Sequence, residues 1–503
     1  MHDLAQPEFL DVVIIGAGIS GIGAGRYLKT EHPGKTFAIL EARSTSGGTW
    51  DLFRYPGIRS DSDLNTFAYD FKPWRDRDAI ASGDKILAYV HETAAENGLE
   101  PLIRYQHRVI AAAWSSEAGL WSIQVESDGA EGPGVRCLRA KWIFCASGYY
   151  RYDQGYAPEF AGQSQYEGRI VHPQHWPQDL DYSGKKVVVI GSGATAVTLL
   201  PAMAAGPNAV SHITMLQRTP SYIVPVSRRD KISARLRKIF GEERGYALTR
   251  RKNILRQYLI WQFCQKFPER ARSIIRSANI KGLPEGYDVD KHFNPPYDPW
   301  DQRLCAVPNG DLFKAIRQGK ASIVTDQIDT FTKNGIRLAS GQELEADIIV
   351  TATGLNLHLF GGMTLTVDGK EVSYPDTVAY RGIMLSGVPN FAFAIGYTNS
   401  SWTLKIGLLC QYFCRLLTHM DDSGHDVVWA VAEPGMPTRP LMDFEAGYVK
   451  RALNMLPRQG DTAPWQMSMS YHQDERLLTR RRVTDRCLRF AKTASRGTAS
   501  SSR

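Results

Sequence analysis

Two stretches of this 503-residue sequence have the residue types and spacing to hold a phosphate. Gly16-Ala17-Gly18-Ile19-Ser20-Gly21 is a G-x-G-x-x-G run, and Gly191-Ser192-Gly193-Ala194-Thr195-Ala196 is G-x-G-x-x-A. In such a run the first glycine permits a tight turn and the second lets a pyrophosphate approach the backbone at a helix N-terminus. The third small residue lets helix and strand pack closely. Glu41 stands twenty residues after Gly21, at the end of the apolar run Phe37-Ala38-Ile39-Leu40. An acid there can accept hydrogen bonds from ribose hydroxyls. The second run lacks that acid: its next strand, His212 to Leu216, ends in Gln217-Arg218-Thr219-Pro220. A guanidinium pairs with a ribose 2′-phosphate that an acid would repel, so Arg218 points to NADPH. The alternative is a surface arginine beside an NAD site.

The elements that must position these residues are legible around them. Val12-Val13-Ile14-Ile15 and Val187-Val188-Val189-Ile190 are short apolar runs of the kind that form buried parallel strands. Strand before and helix after distinguish both runs from a glycine-rich turn in an unrelated sheet. Two such units suggest FAD at the first and NADPH at the second. The fold class is therefore α/β, with two Rossmann-like dinucleotide-binding domains and a helical insertion in the second. The expected boundaries are 1–150 for the first part of the FAD domain and 151–227 for the first part of the NADP domain. The insertion takes 228–298, the NADP domain resumes over 299–345, and the FAD domain resumes over 346–492. Residues 493–503 are Ser-, Thr- and Ala-rich and basic, and should fray.

Between these landmarks a helix is expected near 83 to 97, closed by Asn97-Gly98. Strands are expected at Ile103 to Val109, Ala111 to Trp114 and Trp121 to Val125, with a glycine-rich turn from Asp128 to Gly134. They read as a small antiparallel unit inserted into the α/β fold. Lys141 to Gly148 is a strand ending in Ala146-Ser147-Gly148. Further strands are expected at Ile323 to Thr330 and Ile336 to Leu338. Ala346 to Gly354 repeats the small-residue ending as Ala352-Thr353-Gly354, and should mark re-entry to the first domain. A helix follows from about 404 to 420.

Composition narrows the class. Charged residues make up 22% and hydrophobic ones 43%, as in a soluble globular protein. No run of about 18 uncharged apolar residues is present, and MHDLAQPEFL lacks the regions of a secretory signal. The seven cysteines form no C-x-x-C pair, which suggests reduced thiols in the cytoplasm. Cys410 and Cys414 read as small core residues, and no metal site is expected. A disulfide reductase would need a redox pair that Cys137, Cys145, Cys264 and Cys305 do not supply.

The chain carries a net charge of +8, but from Arg228 to Lys281 sixteen Lys and Arg face four acids, a local +12. The rest is slightly acidic, so nucleic acid is not an expected partner. The basic segment can be a solvated helical face. It can also lie against anionic lipid through Arg250 to Phe267, with arginines among headgroups and Ile254, Leu255, Tyr258, Leu259 and Trp261 below. Apolar residues occur on more than one side of that helix, so part of it must pack on the protein or line a tunnel for hydrophobic substrate. Oligomeric state is not legible.

Two longer stretches carry a family resemblance. Gly47-Gly48-Thr49-Trp50-Asp51-Leu52-Phe53-Arg54-Tyr55-Pro56-Gly57-Ile58-Arg59-Ser60-Asp61 matches [AG]-G-x-W-x-x-x-x-[FY]-P-[GM]-x-x-x-D. Tyr166-Glu167-Gly168-Arg169-Ile170-Val171-His172-Pro173-Gln174-His175-Trp176-Pro177 matches F-x-G-x-x-x-H-x-x-x-W-[PD], with Tyr166 in place of Phe. Both resemble the fingerprints of Baeyer–Villiger monooxygenases, within the class B flavoprotein monooxygenases. The likeness runs from about residue 10 to 490. Phe53 to Asp63, Pro299 to Cys305 and Gly396-Tyr397-Thr398-Asn399 look most like the ethionamide-activating type. Long-chain alkane monooxygenases of flavin type share several of these segments.

The resemblance implies an enzyme that uses FAD and NADPH to put one oxygen atom of O2 into lipophilic ketones, giving esters by way of a peroxyflavin. It also implies oxygenation of sulfides or thioamides; hydroxylation of long alkanes is the runner-up. A flavoprotein that only binds and reports redox state is the reading from another class. The implied FAD-binding set adds Gly48, Thr49, Trp50, Asp51, Leu52, Arg59, Ser60, Asp61 and Val109 to Gly16, Gly18, Ser20, Gly21 and Glu41. At the second site it adds Gln217 to Arg218 and the residues from Gly191 to Ala196. Arg303 matches the family's active-site arginine, a fixed cation for an oxygen-born anion, and Asp61 matches the acid that holds it. Gln302 stands where some members place a lysine, which leaves Arg218 as the main contact for the 2′-phosphate. His172 matches a residue on the connection between domains.

Overall fold

The computed structural model describes residues 7–129, 132–302, 304–442 and 446–493. Arg303, the middle of the expected turn at Asp128 to Gly134, and the expected tail beyond Thr493 lie outside the described residues.

The first domain is built on one mixed sheet. Strand β1 (Phe9–Ile15) leads into helix α1 (Ile19–Glu31) and then β2 (Phe37–Leu40). Strands β3 (His107–Ser115), β4 (Leu120–Gly129) and β5 (Gly132–Cys145) follow. β1 pairs in parallel with both β2 and β5, whereas β3, β4 and β5 are antiparallel. The apolar run of β1 is buried on both faces, with Val12, Val13 and Ile14 at 1% exposure or less. The expected antiparallel insert is therefore not a separate unit. β5 runs fourteen residues without a turn residue after Gly134, and its two edges join the antiparallel strands to the parallel ones. The break expected between Val109 and Ala111 is a register shift within one strand, a β-bulge.

The second domain holds β6 (Arg169–Val171), β7 (Lys186–Ile190), α2 (Ala194–Met203) and β8 (His212–Gln217). Three helices, α3 (Lys231–Phe240), α4 (Glu242–Lys266) and α5 (Pro268–Gly282), and a short helical turn at Val289–Phe293 then interrupt it. β9 (Ala321–Thr325) and β10 (Ile348–Thr351) complete a parallel sheet in the order β9-β8-β7-β10-β6. The run Ile323 to Thr330 is thus two elements, broken at Asp326, and Ile328–Thr332 pairs instead with Gly335–Leu338.

The expected re-entry to the first domain at residue 346 needs correction. β10 is a central strand of the second sheet, paired with β7 and β6. The two small-residue endings explain why. A Cβ on Gly16 would lie 2.8 Å from the Ala146 carbonyl oxygen, and one on Gly191 would lie 2.3 Å from that of Ala352. Each ending packs on the glycine turn of its own domain. The chain then runs back along the first domain, where Leu357 bridges to Tyr150 and Thr364–Val367 pairs with β3. Helix α6 (Trp402–Ser423) closes the first domain against α1. Among the described residues no helix is long and apolar enough to cross a membrane.

Candidate active site at the first glycine turn

A cavity of about 500 Å³ opens where β1 and β2 end. Of the expected flavin residues, Gly16, Gly18, Ser20, Glu41, Gly48, Thr49, Trp50, Arg59, Ser60, Asp61 and Val109 line it. The glycines make the floor. Gly18 and Gly48 face each other so closely that a Cβ on Gly48 would lie 3.1 Å from the Gly18 Cα. Gly48 also has φ of +57°, a conformation that disfavours side chains. Bare backbone at a helix N-terminus is what a pyrophosphate needs. Gly21 is not at the wall. A Cβ there would meet the Gly16 carbonyl oxygen at 1.8 Å, so its role is the packing of α1 on the turn.

Glu41 is buried at 6% exposure. Its carboxylate accepts from the Ala17 backbone N–H at 2.8 Å and the Arg43 N–H at 3.0 Å. Burial pushes its carboxyl above the usual range, and the two backbone donors oppose that shift. A carboxylate has about four acceptor sites, so two bonds leave capacity for a ribose hydroxyl. The donor set, the glycine floor and the cavity fit FAD.

Three expected cofactor residues act differently. Asp51 and Leu52 are not among the cavity-lining residues. The Asp51 carboxylate is buried and clamps its own loop, paired with Arg43 at 2.5 Å and also with Arg54. Arg59 reaches the wall, but its guanidinium pairs with Asp311 at 2.5 Å, tying the fingerprint loop to the second domain. Phe53 and Tyr55 of the same loop sit in the second domain's core.

At the second glycine turn, Gly193 meets nothing within 4 Å where a Cβ would stand. Ser192 Oγ donates to the Thr219 carbonyl at 2.8 Å. Ala196 is fully buried and packs α2 on the sheet, while Ala194 and Thr195 remain half-buried at the helix start. Arg218 is exposed, and no ion pair or hydrogen bond engages it among the described residues. Open backbone and a free guanidinium fit a phosphorylated ribose. The Gln217 side chain turns inward, and Nε2 donates to the His292 carbonyl and Thr325 Oγ1, both at 2.9 Å. Gln217 is the last buried residue of β8, and Arg218 stands just beyond the strand, exposed.

The basic insertion is wired to the cavity. Arg250, Asn253 and Gln257 lie on one face of α4. Arg250 Nη1 donates to the carbonyls of Thr66 at 3.0 Å and Ala68 at 2.7 Å. Asn253 Nδ2 donates to the Asp63 carboxylate at 2.7 Å. Gln257 Nε2 donates to Thr66 Oγ1 at 3.0 Å. All three grip the segment just after Asp61. Arg250 and Ile254, expected to face lipid, face the protein instead, and Tyr258 and Trp261 are half-buried.

Comparisons with known proteins agree with this architecture. A family model described as flavin-binding monooxygenase-like matches residues 58–236, and an NAD(P)-binding Rossmann-like domain matches 14–76. The chain is 54% identical over 487 residues to the FAD-containing monooxygenase EthA of Mycobacterium tuberculosis, covering 96% of this chain and 98% of that protein. It is 46% identical to a probable FAD-binding monooxygenase, AlmA, of an Acinetobacter species, over 96% of each chain. The chain belongs to the class B, FAD-containing monooxygenases. FAD and NADP are the cofactors of this family. The fold also matches an oxidized steroid monooxygenase bound to NADP, with a TM-score of 0.74 at 21% identity over 96% of this chain and 100% of that one. Cyclohexanone monooxygenase from Rhodococcus sp. Phi1 gives 0.67 at 21%, over 85% and 87%.

The cavity wall also holds residues that sequence reasoning missed. Tyr149, Tyr152 and Trp402 line the cavity. Trp402 Nε1 donates to Ser20 Oγ at 2.9 Å, pinning the start of α6 to the glycine turn. Its ring lies 5.3 Å from that of Tyr149. Tyr152 OH is 3.4 Å from Thr49 Oγ1. The signal was position: two tyrosines and a third directly follow the Ala146-Ser147-Gly148 turn. His172 directly follows β6, packed so closely on Gly155 that a Cβ there would overlap the ring. Its Nδ1 accepts from the Gln174 N–H at 3.2 Å, and burial lowers its pKa. Arg303 lies outside the described residues. The turn before it is held by Asp298 N donating to the Asp301 carboxylate at 3.0 Å.

Proposed function

We propose that this monooxygenase inserts one oxygen atom into lipophilic ketones to give esters, and oxygenates the sulfur of sulfides or thioamides. The balance is ketone, O2, NADPH and a proton to ester, NADP⁺ and water. FAD, when bound, supplies hydride acceptance and the capture of O2. The observation that carries the reading is that Asp61 of the fingerprint lines the same cavity as Glu41 and the glycine floor. The acid expected to hold the catalytic arginine thus lines the cavity expected for the flavin, which supports the reading.

The remaining roles belong to this chain's side chains. Glu41 and the Gly16–Gly18 turn bind the dinucleotide, and Gly193 with Arg218 receives NADPH. Trp50, Tyr149 and Trp402 exclude water from the pocket and suit an apolar substrate. Arg303, for which Asp61 is the expected partner, stabilises negative charge on the reacting oxygen. At about 4 Å and an effective dielectric of about 20 such a pair is worth roughly 4 kcal/mol. Each ~1.4 kcal/mol is tenfold in rate, so losing Arg303 should cost at least two powers of ten.

The test is Arg303→Ala with product analysis on a ketone, a sulfide and a long alkane. The variant should still have its flavin bleached by NADPH while ester disappears. Full ketone turnover by the variant removes Arg303 from the mechanism. Alcohol from the alkane, with no ester from the ketone, would overturn the substrate reading.

A further inference from the structure

The outward face of α4 has no part in the flavin or NADPH sites, and its chemistry is unusual. Leu248, Leu255 and Leu259 are 38%, 48% and 55% exposed. At about 100° per residue, steps of seven and eleven bring Leu255 and Leu259 within roughly 20° of Leu248 around the helix. Arg244, Arg251 and Lys266 fall on the same strip and are exposed. No acidic partner holds any of the three among the described residues. Helix α3, packed against α4, repeats the pattern. Its Ile232, Ile239 and Phe240 are 54%, 70% and 49% exposed, among exposed Lys231, Arg235 and Lys238.

A merely solvated face would not carry six large aliphatic or aromatic side chains. Nor are they there to dock the helix on the protein. That task falls to the opposite face, where Tyr246, Thr249, Asn253 and Ile254 are buried against the first domain. Leucines in line with unpaired cations, on a strip without an acid, form the pattern of an interfacial helix. Charge complementarity selects the occupant. A second copy of this chain docked face to face would oppose cations to cations. Nucleic acid would leave the leucines without partners. An anionic lipid surface satisfies both components at once, with phosphates for the cations and acyl chains for the leucines.

We propose that α3 and α4 form a peripheral docking surface for anionic phospholipid membranes. Leu248, Leu255 and Leu259 insert below the headgroups, and Arg244 and Arg251 pair with phosphates. This surface is independent of the ketone and sulfur reading, because none of its residues lines the flavin cavity.

The test is co-sedimentation of the full-length holoenzyme with vesicles of phosphatidylcholine alone or with added phosphatidylglycerol, at low and high salt. The enzyme should pellet with the anionic vesicles at low salt and be released by high salt. Each Lys or Arg near an anionic surface contributes roughly fivefold in partition. Arg244→Gln with Arg251→Gln should therefore weaken binding about thirtyfold, and Leu255→Ser with Leu259→Ser should weaken it by at least as much. Both variants should keep bound flavin and NADPH oxidation, which shows that they fold. The proposal is overturned by three results. One is no binding to anionic vesicles at low salt, and another is equal binding to neutral ones. The third is a leucine variant that binds as the parent does while sedimentation velocity shows it has lost a self-associated form, which would assign the face to a second copy. If the leucine variant misfolds, the arginine variant alone decides.

Discussion

Ser400 Oγ donates to Gln257 Oε1 at 2.7 Å. The Gln257 amide group in turn donates to Thr66 Oγ1 at 3.0 Å. One side chain from the insertion in the second domain thus joins two separate segments of the first. Ser400 lines the flavin cavity, and Thr66 follows closely on Asp61. The insertion therefore fixes the wall of this cavity, and Asn253 and Arg250 hold the same segment from one and two turns earlier.

Gln257→Leu keeps the size of the side chain and removes both bonds. Two hydrogen bonds of this kind contribute about 1–3 kcal/mol together, so the melting temperature should fall by a few degrees. The functional effect should be larger. With the wall loosened, water enters the pocket, and more of the NADPH consumed should yield hydrogen peroxide and less should yield oxygenated product. Measuring peroxide against product decides the point. A peroxide fraction equal to the parent's would show that the bridge is structural only.

Gly18 and Gly21 should separate binding from folding. A Cβ on Gly18 has ordinary clearance, 3.6 Å from the Gly48 Cα, but it occupies the space a pyrophosphate needs. Gly18→Ala should fold with a near-parental circular dichroism spectrum and purify with little or no flavin. A Cβ on Gly21 meets the Gly16 carbonyl oxygen at 1.8 Å. Gly21→Ala must push α1 off the sheet and should give insoluble protein. A soluble, fully yellow Gly18→Ala would contradict the assignment of this turn to the pyrophosphate.

Arg218→Gln tests the second site. The guanidinium is exposed and has no partner among the described residues, so its removal leaves the fold unchanged. A charge-assisted bond to the 2′-phosphate contributes about 1.5–3 kcal/mol. KM for NADPH should rise roughly 10- to 100-fold, while KM for NADH stays within about twofold. A parallel rise for both coenzymes would place Arg218 away from the 2′-phosphate.

The parts of this fold that sequence reveals are those governed by local rules. Strand β2 at Phe37–Leu40 and the start of α1 follow from apolar runs beside a glycine turn, because a buried parallel strand needs no partner information. The membership of β10 was hidden because Ala352-Thr353-Gly354 looks like Ala146-Ser147-Gly148. The likeness is real, but each copy packs on its own glycine turn, and that pairing is a long-range fact. Glu41 and Gly18 reach the cavity as their spacing implied, and Trp50 and Asp61 as the family resemblance implied. Asp51 does not, since its carboxylate is taken by Arg43 and Arg54, and at the second turn the Gln217 amide is drawn inward by His292 and Thr325. The inward turn of Arg250 was equally illegible. Its acceptors are backbone carbonyls some 180 residues away, which have no sequence signature.

His172, at the end of β6, gives a pH dependence of its own. Burial lowers its pKa from the ordinary imidazole value of about 6.5. The Gln174 N–H donated to Nδ1 also requires that nitrogen to be unprotonated. The folded form therefore binds a proton less readily than the unfolded chain. Linkage then fixes the sign: the contribution of this histidine is present above about pH 6.5 and is lost as the pH falls through its folded value. Glu41 and Asp63 are raised by burial and drift in the opposite sense, so the whole protein's curve mixes both. A comparison with His172→Gln cancels them. The glutamine can still accept from the Gln174 N–H but does not titrate. Between about pH 7 and about pH 5 the melting temperature of the parent should fall more steeply than that of His172→Gln. Parallel curves would mean that this imidazole takes up its proton as easily in the fold as outside it.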